Sequence, residues 1–280
     1  MLHSPCSPYL YPISLHHDPS SRAEPPPHPP SFCMQGFDRG IFGGNFHTHN
    51  NLYLPPGLDV VVFSNGYDWV RGWRHACAAA RAGRVVMVVD STDLLNRRHL
   101  DNDMKDSRML LPYPALPEDE ADGLSSQLGF DAVLRHGHSE LSPGDDAEEE
   151  EDEDKDEVTI VTYGNGVVAA VEAQRILAKD HGITRVGILE VPCISAMPPA
   201  LGHGLTKHAH GGVVFADICK APQAPLNAFV VQLQDQGLLA HRWRCVAAPQ
   251  TYNPLASTIT FLSSQDIVEA ALAVSREDSS

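Results

Sequence analysis

A chain of 280 residues holds one or two hydrophobic cores, since domains usually run to about 100–200 residues. Its formal net charge of −16 argues against a nucleic-acid partner gripped through phosphates. Six scattered cysteines without a C-x-x-C pair exclude a zinc cage of that spacing and read as reduced thiols rather than a disulfide framework. No apolar run approaches the ~18 residues that span a bilayer, so a soluble chain without membrane contact is expected.

Residues 1–35 are rich in Pro, Ser and His and show neither a helical nor a strand period; the expectation is a disordered tail. Neither a secretory signal nor a mitochondrial transit peptide is legible there: Arg22 is the only Lys or Arg before Arg39, whereas a transit peptide is Arg-rich and acid-poor. The polar loop Gly43-Gly44-Asn45-Phe46-His47-Thr48-His49-Asn50 follows. Glycines let a ligand approach the backbone, and two histidines on alternate positions offer it donors or acceptors. Val60–Phe63 is a short β-branched apolar run bounded by Gly57 and Ser64-Asn65-Gly66, which predicts a buried strand. Trp69, Trp73, Ala76, Cys77 and Ala80 then recur at helical spacing, Gly83 stands where a helix ends, and Arg84–Val89 is a second buried strand. Strand, helix and strand within about 30 residues make a βαβ unit and imply a parallel sheet.

Residues 91–142 are less regular and are taken as the close of a first domain (36–142). The run 143–157 is an acidic linker: from Asp145 to Glu157 it carries eleven carboxylates and one Lys, or −10 of the net charge, leaving an ordinary −6 elsewhere. A second α/β domain (158–275) opens at Val158–Tyr163. It continues as turn Gly164-Asn165-Gly166, helix 167–181 closed by Gly182, strand 183–191, a short helix at 197–207, strand 211–217, helix 225–236, strand 243–247 and helix 265–274. Alternating strands and helices again mean a parallel sheet covered on both faces. The fold class expected is therefore α/β with two parallel-sheet domains.

The order of these pieces resembles the beta subunit of the thiamine-diphosphate-dependent 2-oxoacid dehydrogenase decarboxylating component, in the transketolase-like superfamily. Gly43-Gly44-Asn45-Phe46-His47-Thr48 resembles that family's glycine loop, Pro56-Gly57-Leu58-Asp59-Val60-Val61 its Pro-Gly-Leu strand start, and Tyr67 to Ala82 the helix behind it. Val158–Gly164 resembles the strand opening the family's C-terminal domain. Tyr252-Asn253-Pro254 and Phe261–Val268 resemble its closing turn and helix. The resemblance implies a partial pyrimidine-binding domain followed by a transketolase C-terminal-like domain. It also implies thiamine diphosphate as cofactor, its aminopyrimidine end on this chain and its diphosphate and Mg²⁺ on an alpha-type partner. Dimerisation through the C-terminal domain, a lipoyl-bearing acyltransferase as further partner, and a mitochondrial or plastid location follow from it in the same way.

Under that resemblance His47 and His49 are the catalytic candidates, and Gly43, Gly44, Asn65 and Tyr67 the cofactor-binding candidates; no metal site is expected on this chain. The family's catalytic Glu lies upstream of the glycine loop, where this sequence has its Pro-rich stretch, so the first half of the pyrimidine domain is expected to be missing. A Gly-Asp-Gly metal-diphosphate signature is also absent from the sequence. Two other readings stand beside the first: a non-catalytic structural or regulatory relative that lost the cofactor site, and a transketolase-type fragment. His47 and His49 as plain turn-holders, Asp68 as a macrodipole partner, Asp217 as a helix cap, and His136 with His138 as a metal pair are the local alternatives.

Overall fold

The computed structural model describes residues 31–36, 54, 56–95, 114, 126–136, 155–251 and 261–275. Their strands are β1 (Ser31–Gly36), β2 (Leu58–Val62), β3 (Val85–Ser91), β4 (Leu134–Arg135), β5 (Asp156–Thr162), β6 (Val186–Glu190), β7 (Ala209–Lys220) and β8 (Trp243–Ala248). The helices are α1 (Gly66–Arg81), α2 (Thr92–Leu95), α3 (Gly166–His181), α4 (Pro199–His208), α5 (Leu226–Asp235) and α6 (Ser264–Ser275). They build two sheets, a three-stranded one in the order β1-β3-β2 and a five-stranded one in the order β4-β6-β5-β7-β8. Every pairing is parallel except β4 with β6. An α/β architecture of two parallel-dominated sheets is what the strand–helix alternation implies.

The unbroken apolar runs of β2 and β3 follow from burial on both faces. Side chains alternate across a strand, so Val60, Val62, Met87 and Val89 point one way and join the large core built around the second sheet. Val61, Phe63, Val86 and Val88 point the other way into a smaller core with Ala76 and Ala79 of α1. The two domains thus share a core through one face of the first sheet. Helix ends follow the predicted chemistry. Gly83 adopts φ +96° just past α1, and Gly182 closes α3 at φ +72° with its N–H on Leu177 O, the left-handed turn that costs glycine least.

Three differences from the sequence reading have physical causes. Strand β1 pairs in parallel with β3 from Ser31 to Gly36, so the tail expected through residue 35 already includes a strand; its flanking prolines hid it. The stretch 126–136 is not a descent into a linker. Leu128, Phe130, Val133 and Leu134 are all buried, and Leu134 and Arg135 pair antiparallel with Glu190 and Leu189, so the end of the expected first domain forms the edge of the second sheet. Strand β7 is also longer than 211–217, reaching Lys220.

On the surface, Arg84 holds Asp59 through two bonds of 2.6 Å, and the pairing raises the Arg84 pKa. The Arg84 side chain is 56% exposed, and exposed pairs contribute little. Arg84→Ala is therefore expected to lower the unfolding free energy by less than about 1 kcal/mol, checked by urea unfolding.

Candidate functional site

The carboxyl ends of β2 and β6 meet where the two domains join, and a buried polar cluster fills the junction. The segment after β6 runs antiparallel along the free side of β2. Val62 N–H donates to Pro192 O at 2.8 Å and Ile194 N–H to Val60 O at 2.9 Å. Val61 and Cys193 form a bridge, and Val60 N–H donates to Ser195 Oγ at 3.0 Å. Backbone groups on an open sheet edge need partners once buried, and here the second domain supplies them.

Glu190, at the end of β6, is completely buried. One carboxylate oxygen accepts the Ser64 N–H at 3.1 Å, and the other accepts the Ser64 hydroxyl at 2.7 Å. His136 Nε2 lies 2.8 Å from that second oxygen, carried there by β4. Two segments distant in sequence, carrying Ser64 and His136, therefore converge on the one carboxylate of Glu190. Buried polar groups persist when so satisfied.

Beside Ser64, Asn65 caps α1. Its carbonyl oxygen accepts the Asp68 N–H at 2.9 Å, and its amide donates to Asp68 Oδ2 at 2.7 Å and Ser64 Oγ at 3.3 Å, the arrangement preferred at helix starts. Asp68, fully buried, also faces Arg71 at 3.4 Å. The Arg71 guanidinium stacks over the Tyr67 ring at 5.3 Å. At the end of β3, Asp90 accepts the Trp69 Nε1–H at 2.8 Å, and Trp69 packs edge-on against Trp73.

The second sheet presents its carboxyl edge to the same junction. Gly164 sits at φ +54°, and a Cβ there would fall 2.7 Å from Val62 Cγ1; close approach of the first domain requires glycine at this position. Leu94 of α2 meets Val168 of α3 nearby. Asp217 accepts the Tyr163 hydroxyl, the Cys219 N–H at 2.8 Å and the Leu226 N–H at 2.8 Å, so it caps α5 from within the last four residues of β7. Burial pushes its pKa up to about 6, and burial followed by the Asp217 charge raises Tyr163 well above its ordinary value.

Of the residues singled out in the sequence, Asn65 and Tyr67 stand at this junction, Asn65 with its side-chain amide engaged in the helix cap and Tyr67 half-buried against Arg71. Gly43, Gly44, His47 and His49 lie outside the described residues, as does His138. His136 is placed against Glu190 rather than in a metal group, and among the described residues no three His, Cys, Asp or Glu side chains gather to hold a metal. Glu190 went unnoticed in the sequence, and Ser64 was read there only as part of the turn before α1. A lone Glu closing the apolar run Val186–Leu189 was the only available signal, and such a residue reads equally well as a solvated strand end.

No family model matches the sequence, and no curated protein does. Among solved structures the chain is similar to a split-gene transketolase in an inactive beta4 tetramer, with a TM-score of 0.55 and 15% identity. The alignment covers 87% of this chain and 65% of that one, so this chain spans less than two thirds of its length. At this identity the likeness establishes architecture alone: the chain has a transketolase-like fold of two α/β domains.

Proposed function

We propose that this chain is a beta-type subunit of a two-chain thiamine-diphosphate enzyme of the 2-oxoacid dehydrogenase kind, acting on pyruvate or a branched-chain oxo acid with an alpha-type partner. The observation that carries the reading is the transketolase-like arrangement of a small parallel sheet tied to a C-terminal sheet, in the order the sequence motifs imply. The similar solved structure is itself described as a split-gene transketolase whose beta4 tetramer is inactive, which supports a chain that needs a second polypeptide.

The described residues do not by themselves fit the cofactor. An aminopyrimidine needs an open carboxyl group and an open carbonyl. The carboxylates at the carboxyl ends of the first sheet are instead engaged internally, Asp68 by Asn65 and Arg71 and Asp90 by Trp69. No reaction step is therefore derived through thiamine diphosphate. In this reading Gly43, Gly44, Asn65 and Tyr67 are the cofactor-binding candidates on the pyrimidine side, His47 and His49 the catalytic ones, and the alpha-type partner supplies the diphosphate groups and Mg²⁺. C-terminal dimerisation and a lipoyl-bearing acyltransferase belong to the same proposal.

Co-expression with an alpha-type subunit tests it. The expected result is a stable complex that decarboxylates a 2-oxo acid only with thiamine diphosphate and Mg²⁺. His47→Ala should lower turnover by about 100-fold, the low end for loss of an acid–base group, while the complex still elutes intact. Absence of both complex and turnover contradicts the proposal. The internally engaged carboxylates favour a second reading, a non-catalytic structural relative, for which a complex without cofactor-dependent turnover is the expected outcome.

A further inference from the structure

At the amino ends of the second sheet's parallel strands, the end away from the domain junction, lies a cavity of about 550 Å³, within the usual range for small-ligand sites. Four separate segments build its wall: Lys155 and Glu157 at the start of β5, Arg185 just before β6, His210 near the start of β7 and Arg242 just before β8. Strand β7 is irregular at this spot. Asp156 pairs with Ala209 and Val158 with Gly212, so His210 and Gly211 together stand opposite Glu157 alone. Bulges of this kind re-aim side chains and are over-represented beside functional sites. This one requires glycine at 211, where a Cβ would fall 1.8 Å from Glu157 O.

The wall carries an excess of positive charge. Asp156 is turned inward, its two oxygens accepting from Arg135 and Thr159 at 3.0 Å each, and Arg135, which is not in the wall, balances its charge. Glu157 meets Arg185 at 3.5 Å, with both side chains well exposed. Arg242 donates to Ser275 O at 3.5 Å, across the end of α6. Lys155, Arg185 and Arg242 therefore line the cavity against one outward carboxylate, Glu157, in a chain whose net charge is −16. Cations gathered in a concavity focus a field that draws anions, and guanidinium groups match oxyanions in geometry.

We propose that this cavity binds a small oxyanion ligand of at least two negative charges, its phosphate or carboxylate groups held by Lys155, Arg185 and Arg242. The site belongs to the second sheet and does not rest on the thiamine diphosphate reading.

Isothermal titration calorimetry of the full chain tests it, with pyrophosphate and citrate as separate probes in chloride buffer at matched ionic strength. Wild type is expected to bind at least one of them saturably. Binding of pyrophosphate alone assigns a phosphate-bearing ligand, of citrate alone a polycarboxylate, and of both the charge they share. In the double variant Lys155→Gln, Arg185→Gln the Kd is expected to rise at least tenfold, with the urea midpoint unchanged because both side chains are exposed. Arg81→Gln, which removes an exposed cation from the end of α1, is expected to bind as wild type does. Three results overturn the proposal: no saturable binding of either probe, a double variant that binds as tightly as wild type, or an equal weakening in Arg81→Gln.

Discussion

Replacing Glu190 by Ala is expected to lower unfolding free energy by about 3 kcal/mol or more, the range for deleting one partner of a buried charged network. The reason is what remains behind. The Ser64 N–H, the Ser64 hydroxyl and His136 Nε2 all converge on this carboxylate, and Ser64 and Glu190 are each 0% exposed. Stranded donors in such a place lose water without replacement. Domains of ordinary stability hold only about 5–15 kcal/mol in total, so the variant should show a much reduced urea midpoint. The Ser64→Ala and Glu190→Ala changes should also be strongly non-additive, since they remove the same bonds. Additive effects, or a loss under about 1 kcal/mol, would mean that the junction is wet and the domains are held by the shared core alone.

The stability contribution of Asp217 should run opposite to that of an ordinary salt-bridged carboxylate. Burial raises its pKa from 3.8 to about 6, so between those values the folded chain binds the proton more tightly than the unfolded one. Stability from this group is therefore greatest below pH 3.8, falls as pH rises through the window, and levels off above about 6. A shift of this size corresponds to about 3 kcal/mol, and at 2% exposure solvent screening does little to reduce it. The three donors facing Asp217 oppose the shift without cancelling it. Because the many other carboxylates also titrate, the measurement is a difference: urea unfolding of wild type and Asp217→Asn at pH 4, 5, 6 and 7. The wild type is expected to lose ground to the variant steadily up to pH 6. A flat difference, or one moving in favour of wild type, contradicts the sign.

Much of the architecture was legible in local chemistry. Val60–Phe63 and Arg84–Val89 are too apolar and too short for anything but doubly buried strands, and Asn65, Gly83 and Gly182 mark helix ends by mechanisms that act within one turn. Strand β1 was not legible, because its order rests on parallel pairing with a strand more than fifty residues away and no period in Ser31–Gly36 announces it. The junction cluster escaped for a related reason. Ser64, His136 and Glu190 lie 126 and 54 residues apart along the chain, and no spacing rule links positions brought together only by three separate strands.

The sequence by itself determined the α/β class, the two parallel-dominated sheets and most helix boundaries, since these depend on side-chain periodicity and capping over a few residues. Tertiary structure alone decided that one face of the first sheet joins the core of the second, that residues 126–136 cross to the second sheet, and that Glu190 rather than solvent receives Ser64. Those outcomes depend on which buried donors must find acceptors once distant strands have packed, and that condition exists only in the folded chain.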